Sequence, residues 1–157
     1  MNPGDQLRYG WIGGGKYAVP VQMLASQAVV APGGRFVEMV TGSGYATYLD
    51  DGDDDAIFGS SEGPYGTQSS TQSATDVVNC IVDITAIYKI PILSGDGTFA
   101  ITDIGDTCDI GVTSSVQGAH LQASNDEHFI VLGGDLVNNN WAIVRLNPNV
   151  QGETGSA

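Results

Sequence analysis

The longest alternation of side chains along this chain runs from residue 77 to residue 92. One set of alternate positions in it is apolar throughout, namely Val78, Cys80, Val82, Ile84, Ala86, Tyr88, Ile90 and Ile92. Successive side chains of a β-strand point to opposite faces, so a period of two held this long excludes a helix. The alternation predicts either one long bent strand or two consecutive strands, with Pro91 at an end or an edge.

Composition extends this prediction to the rest of the chain. Val, Ile and Thr far outnumber the helix formers Leu, Met, Glu and Lys, and 22 glycines and six prolines separate short apolar runs. We expect an all-β protein, a small β-barrel or β-sandwich, with at most one short helical turn near residues 102–106. Barrel and sandwich share the same alternation, so both stay open. The other predicted strands cover residues 17–23, 28–31, 35–41, 45–49, 56–58, 108–113, 119–123, 128–132 and 141–146.

The predicted organisation is a single β domain over residues 17–147, with an extended N-terminal arm before it and a polar tail after it. The arm is residues 1–16 and the tail is residues 148–157. Within the domain, residues 59–76 are rich in Ser, Thr, Gly and Gln, and predict a long loop.

The arm carries the candidate contact residues Arg8, Tyr9 and Trp11. Side chains of these three types are enriched at the centres of protein interfaces. They favour an arm that is ordered against another surface over the alternative of a disordered leader, which is the general expectation for an untied terminus.

Charge limits the classes of partner. The chain has 18 acidic residues against five Lys and Arg, a formal net charge of −13. Nucleic-acid binding and polybasic membrane binding both need clustered cations, so neither partner is expected. No apolar run approaches the roughly 18 residues that span a bilayer, and the N-terminus lacks the pattern of a secretory signal, so we expect neither feature.

Residues 10–17, GWIGGGKY, nearly match the sequence motif of a phosphate-binding loop. Its last position needs a small hydroxyl for magnesium, where this chain has Tyr17, and a helix must follow. The next residues include Pro20 and look extended. No nucleotide or other cofactor is therefore expected.

An acidic segment has part of the spacing of a calcium loop. Asp51, Asp53, Asp55 and Glu62 occupy positions 1, 3, 5 and 12 of such a loop, but Ala56 stands where a sharp turn needs glycine. A hairpin turn with solvated carboxylates is the simpler interpretation, so no metal is predicted, although bound calcium stays open.

Candidates for catalysis are few. Cys80 and Cys108 lack the spacing of a zinc site, and two core thiols are favoured over a disulfide. His120 and His128 accompany no hydrolase motif. A set of Cys108, His120 and Asp109 can be drawn from sequence proximity, which does not establish geometry. We expect no enzyme; a small β-class hydrolase stays an alternative that needs a pocket joining a histidine to several carboxylates.

Residues 84–147 resemble the C-terminal half of the capsid decoration (cement) proteins of tailed bacteriophages. The segments that carry the resemblance are YKIP at 88–91, GTF at 97–99, TDIGDTCD at 102–109 and WAIVRLN at 141–147. Residues 36–41 and 51–57 are similar in character.

The resemblance implies a structural virion protein that binds the major capsid protein on the outer surface of the expanded capsid and stabilises it, often as a homotrimer. Such a protein is made in the host cytoplasm and resides on the virion. The alternative is a glycan-binding β-sandwich displayed on a virion. Its stacking faces would come from Trp11, Tyr45, Tyr48, Tyr65 and Trp141.

Overall fold

A six-stranded sheet and a closed five-stranded barrel make up most of the fold. The computed structural model describes residues 10–23, 28–29, 36–40, 42–49, 57–61, 66–67, 77–113, 116–122 and 126–149. Its strands are β1 (Gly10–Gly13), β2 (Ala18–Met23), β3 (Ala28–Val29), β4 (Phe36–Met39), β5 (Tyr45–Tyr48), β6 (Gly59–Ser61), β7 (Gly66–Thr67), β8 (Val77–Ile81), β9 (Ile87–Pro91), β10 (Thr107–Thr113), β11 (Val116–His120), β12 (Phe129–Gly134) and β13 (Trp141–Leu146). The all-β prediction is confirmed, and a 3₁₀ turn at Ile101–Asp103 is the helical element of the described residues. Within those residues, no helix is long and apolar enough to cross a membrane.

The six-stranded sheet has the order β1-β9-β13-β12-β10-β11, with antiparallel neighbours throughout. It curls until β11 reaches the end of β9, where Ile92 forms a parallel bridge with Ala119. Gly118 allows this approach, because a Cβ there would lie 2.5 Å from the Pro91 carbonyl oxygen. β1 pairs with β9 on the side that β13 does not occupy, and it is the first strand in the order of the sheet.

The barrel has the order β2-β5-β4-β6-β8. β2 and β5 run parallel, and the other pairs are antiparallel. Pro20 lies opposite Asn79 of β8, while β5 pairs only with Gln22 and Met23. Proline is therefore tolerated inside this strand of a closed barrel, because β5 does not pair with β2 at Pro20. A separate two-stranded pair joins β3 and β7.

Two apolar clusters form the core. The barrel cluster fills the barrel with Val21, Met23, Val37, Ala46, Tyr48, Val78 and Cys80. The interface cluster lies between the two units, where Phe36 of the barrel packs its ring 5.2 Å from Tyr88 and 4.9 Å from Phe129 of the sheet. The two units thus share one apolar interior.

Gln117 adds a polar joint beside the interface cluster. Its Oε1 accepts the Phe36 N–H at 2.7 Å. Its Nε2 donates to the carbonyl oxygens of Phe36 and Leu49 at 3.0 and 2.9 Å. One buried side chain of β11 therefore satisfies three backbone groups of the barrel.

The alternation over residues 77–92 is two strands, β8 of the barrel and β9 of the sheet. Between them, the Ala86 N–H donates to the Asp83 carbonyl oxygen and closes a turn. Ile84 sits in this turn and is 44% exposed, although it has the same parity as buried Cys80 and Tyr88. The apolar alternation of the sequence continues through this turn, but the alternation of burial is interrupted at Ile84.

Several boundaries differ from the sequence prediction; β11, for example, is Val116–His120 where a strand over residues 119–123 was expected. Gly10–Gly13, placed in the arm, is a sheet strand. Gly59–Ser61 and Gly66–Thr67 are strands inside the predicted loop 59–76, and Gly59–Ser61 replaces the strand expected at 56–58. A Cβ at Gly59 would lie 2.4 Å from the Ile81 carbonyl oxygen, so a small residue is required where β6 meets β8. Because Gly, Ser and Thr are typical of loops, composition alone predicted a loop here.

Candidate functional site

Trp11 lies in β1, opposite Tyr88 of β9, and is 36% exposed. Its indole Nε1 donates to the Gly15 carbonyl oxygen at 3.0 Å, and the Lys16 ammonium lies 4.6 Å from the ring centroid. The cation–π contact and the hydrogen bond hold the ring in one orientation at the margin of the sheet. Its predicted companions Arg8 and Tyr9 lie outside the described residues.

The segment after β1 is fixed to the turn between β8 and β9. Gly14 has φ +72, and a Cβ there would lie 2.0 Å from the Thr85 carbonyl oxygen. The Gly15 N–H donates to the Thr85 hydroxyl at 3.0 Å. Glycine is required at Gly14, because no other residue combines this φ with so close an approach.

The outer margin of β1 is an open edge of the sheet. Among the described strands, β1 pairs only with β9, and Ile12 beside Trp11 is 47% exposed. An edge strand presents unpaired N–H and C=O groups that another chain can pair with. The structure thus places an aromatic side chain and an open backbone edge at the same position.

The near-match to a phosphate loop lacks the required context. Residues 10–17 are strand β1 followed by a bend, and the next element is β2, a strand. Among the described residues, no helix N-terminus faces this glycine segment, so its amides lack the helix that a phosphate-binding loop requires. The glycines serve the close approach to Thr85 instead.

Both cysteines are buried free thiols in different clusters, so the two thiols do not pair. Burial raises the pKa of each to about 12. For Cys108, the nearby carboxylates of Asp109 and Asp103 raise the pKa further. Since the thiolate is the nucleophile, neither side chain is a reactive thiol at neutral pH.

The set of Cys108, His120 and Asp109 is divided by the sheet. Asp109 and His120 are opposite each other in the β10–β11 register, so their side chains leave the same face. Cys108 is the preceding residue of β10 and points to the other face, into the interface cluster. His120 Nε2 instead lies 3.9 Å from an Asp96 carboxylate oxygen.

Asp109, Asp126 and His128 form a cluster whose potential ligand atoms lie within 4.8 Å of one another. The Ile110 N–H donates to His128 Nδ1 at 3.1 Å, so this nitrogen uses its lone pair and Nε2 carries the proton. In that tautomer neither ring nitrogen has a lone pair for a metal, and Nε2 is buried with no hydrogen-bond partner among the described residues. Asp109 Oδ1 accepts the N–H groups of Asp126 and Glu127 at 3.0 and 2.8 Å. The donor set therefore fits a structural turn and does not fit a metal centre.

The calcium candidates Asp51, Asp53, Asp55 and Glu62 lie outside the described residues. No comparable loop of alternating carboxylates occurs in the part of the chain that the structure describes. Bound calcium therefore stays an open alternative of the sequence analysis.

A cavity of about 330 Å³ lies beside the 3₁₀ turn. Asp103, Asp106 and Gln122 give its wall a polar, acidic character, and Cys108 lies beneath. None of its lining residues is aromatic or a histidine. The cavity thus lacks both the stacking face of a glycan site and the histidine that the hydrolase alternative of the sequence analysis requires.

Two neighbouring loops each carry two exposed aliphatic side chains, a feature that the sequence analysis did not identify. We call it the loop-tip patch: Ile101, Ile104, Leu136 and Val137, with exposed fractions of 66, 51, 58 and 87%. The two loops are residues 99–106 and residues 135–140. A signal was present, because Leu136 and Val137 are apolar residues between two turn motifs, but that pattern alone does not show which loops meet.

Asn139 joins the two loops. Its Oδ1 accepts the Phe99 N–H at 2.7 Å, and its Nδ2 donates to the Gly97 carbonyl oxygen at 2.8 Å. The Asp135 carboxylate holds the second loop by accepting the N–H groups of Val137, Asn138 and Asn140 at 3.0 to 3.2 Å. The loops are therefore fixed relative to each other by side-chain hydrogen bonds.

Comparisons with known proteins give no further guide. No protein-family model, no curated protein and no solved structure matches this chain.

Proposed function

We propose that this chain is a structural virion protein that binds the outer surface of the expanded capsid of a tailed phage, as a homotrimer, and stabilises the shell. The observation that carries the proposal is the position of Trp11, half-exposed beside the open edge of β1. A large, oriented aromatic ring next to unpaired backbone groups is suited to contact with another protein. The choice of the major capsid protein as that partner rests on the resemblance of residues 84–147 to capsid decoration proteins.

Charge is compatible with this role. A net charge of −13 keeps the protein soluble and discourages contact between copies away from the intended interface. Many copies on one shell, each with a modest interface, resist expansion together through multivalency.

The described candidates for catalysis do not assemble into a site, which favours binding over hydrolysis. Cys108 lies on the opposite face of the sheet from His120, and His128 Nδ1 accepts a hydrogen bond from the Ile110 amide. The glycan alternative also has less support. Tyr48 is buried, and the Lys89 ammonium lies 4.8 Å from the ring centroid of Trp141 and covers one of its two faces.

The test uses expanded heads of the phage that encodes this chain, assembled without it. Wild-type protein is mixed with the heads and imaged by electron cryomicroscopy, and we expect added density at symmetry-related positions. Trp11→Gln is expected to bind at least about tenfold more weakly, as for loss of an interface aromatic. Tyr17→Gln, at a 67% exposed aromatic just beyond β1, is the matched control and is expected to bind within about twofold of wild type.

Absence of added density with wild-type protein would refute the capsid role. Equal binding of wild type and Trp11→Gln would refute the contact at β1. Deletion of residues 1–15 is also expected to abolish binding. Because that deletion removes β1, circular dichroism must show that the remaining strands are folded.

A further inference from the structure

We infer that the loop-tip patch is a second contact surface, which docks into an apolar recess bordered by Lys or Arg on the capsid protein. This inference rests on the proposed function, but it concerns a different surface from β1. Three observations carry it: the exposure of the patch, the fixed geometry of its two loops, and the sign of the charge around it.

The first observation is exposure. Val137 is 87% exposed and Ile101 is 66% exposed, on loops that lie next to each other. Single exposed aliphatic residues are ordinary on a protein surface, but a group of four on adjoining loops marks an interaction site. Burial of such side chains against a partner supplies the main favourable free energy of association.

The second observation is that the loops are attached to the sheet along their length. The Gly105 N–H donates to the Val131 carbonyl oxygen, and the Val131 N–H donates to the Asp106 carbonyl oxygen, at 2.8 and 2.9 Å. At the other end, Phe99 packs its ring over Gly134, where a Cβ would lie 2.5 Å from the ring. Together with Asn139, these contacts preorganise the patch, so little conformational entropy is lost when a partner covers it.

The third observation is charge. The two loops carry Asp103, Asp106 and Asp135 and contain no Lys or Arg. Lys89 of β9 lies close enough to act on Asp135 and offsets part of this charge, but three carboxylates against one ammonium group leave the surroundings of the patch negative. A partner with a positive border complements this surface. A second copy of this chain does not, because it has only five Lys and Arg against 18 acidic residues.

The test uses the same undecorated expanded heads. The double variant Leu136→Gln/Val137→Gln is expected to bind at least about tenfold more weakly than wild type. The matched control is Ile84→Gln/Val116→Gln, which changes two exposed aliphatic residues, 44% and 37% exposed, away from the patch. Its binding is expected to stay within about twofold of wild type, and unchanged thermal unfolding of both variants shows that they are folded.

The outcomes separate the two proposals. If wild type binds the heads and the patch variant binds equally well, the inference is wrong and the proposed function stands. If wild type does not bind the heads at all, both are wrong. Loss of binding by the patch variant and by the control alike also overturns the inference, because the effect is then not specific to the patch.

A photo-crosslinking residue identifies what covers the patch. p-Benzoylphenylalanine in place of Val137 is expected to crosslink to the capsid protein on the heads, at a peptide next to Lys or Arg. Crosslinks exclusively between copies of this chain would overturn the inference. The charge argument further predicts that Asp106→Lys binds several-fold more weakly and that wild-type binding weakens as salt is raised.

Discussion

Asp83 is a surface carboxylate that holds two chain segments together. Oδ1 accepts the Thr85 hydroxyl at 2.7 Å and the Thr85 N–H at 2.9 Å. Oδ2 accepts the Tyr17 N–H at 3.3 Å. The hydrogen bond from the Thr85 hydroxyl, then those from the Thr85 and Tyr17 amides, lower the pKa of Asp83. This residue thereby connects the turn between β8 and β9 to the segment that follows β1.

The lowered pKa gives a prediction for acid. A carboxyl whose pKa is lower in the folded state than in the unfolded state stabilises the fold fully above its unfolded pKa, about 3.9. That stabilisation is lost as the pH falls through the folded pKa. We expect Asp83→Asn to be less stable than wild type at pH 6, and the difference in unfolding free energy to shrink as the pH is lowered toward about 2.5.

Urea unfolding of both proteins across this pH range measures the effect. Asp106→Asn, at an exposed aspartate, reports what the loss of one surface charge does by itself. A difference between wild type and Asp83→Asn that is the same at every pH would contradict the assignment.

Sequence reasoning recognised several of these residues but not their roles. The parity of Cys108 and His120 already placed them on opposite faces once strands β10 and β11 were paired, but the register was not available from the sequence. Gln117 was not identified at all, because its role depends on hydrogen bonds to backbone groups of Phe36 and Leu49, which are remote in sequence. The tautomer of His128 likewise depends on the Ile110 amide.

At the scale of elements, β12 carries two adjacent glycines with different surroundings. A Cβ at Gly134 would lie 2.5 to 2.7 Å from three atoms of the Phe99 ring, whereas the nearest atom to a Cβ at Gly133 is 3.8 Å away, in Ile143. Phe99 is buried at 5% exposure, so its ring has little room to move.

We expect Gly134→Ala to destabilise the protein by about 1–3 kcal/mol, because the methyl group displaces the Phe99 ring and loosens the loop before the 3₁₀ turn. Gly133→Ala is the matched control and is expected to change stability by less than about 0.5 kcal/mol. The midpoints of urea unfolding compare the two. Equal midpoints would show that Phe99 moves aside freely and that the loop is not held as described.

The sequence predicted elements well where one face is apolar. β8, β9 and β13 follow the alternation, since each buries one face in a cluster. It failed at Gly59–Ser61, where the strand is buried among Ser and Gly and has no apolar periodicity. It also placed Gly10–Gly13 in an arm, because the partner strand β9 is remote in sequence.

For the molecule as a whole, the interface cluster and Gln117 join the barrel to the sheet. Neither unit buries its apolar face without the other, since Phe36 of β4 packs on Tyr88 and Phe129. Unfolding of one unit therefore exposes apolar surface and unpaired backbone groups of the other. We expect both units to unfold in a single transition.

The two buried thiols report on this transition, since Cys80 lies in the barrel cluster and Cys108 in the interface cluster. Wild-type protein is pulse-labelled with N-ethylmaleimide at increasing urea concentrations, and peptide mass spectrometry gives the labelled fraction of each thiol. The two labelling midpoints are expected to coincide. Gln117→Leu leaves three backbone groups of the barrel without this partner. We expect it to reduce the unfolding free energy by about 2–4 kcal/mol and to lower both labelling midpoints together.

Labelling of Cys80 at clearly lower urea than Cys108 would show that the barrel unfolds by itself. A Gln117→Leu variant that shifts one midpoint alone would lead to the same conclusion.

The candidate site was predicted in part. Trp11 was identified from its residue type, and the structure adds the open edge beside it. The loop-tip patch depends on the contacts of Phe99 with Asn139 and Gly134. These residues are remote from Phe99 in the sequence, so no local pattern predicts the patch.

The pairing of β1 with β9 also sets an order of events on the ribosome. Residues 14–86 separate the two strands, so at about 5–20 residues per second β1 emerges several seconds before its partner exists. During that interval the barrel strands are made, and β1 can complete the sheet only after them. The segment proposed to bind the capsid is thus synthesised several seconds before the strand with which it pairs. During this time a nascent chain can meet other nascent copies before β1 has paired with β9.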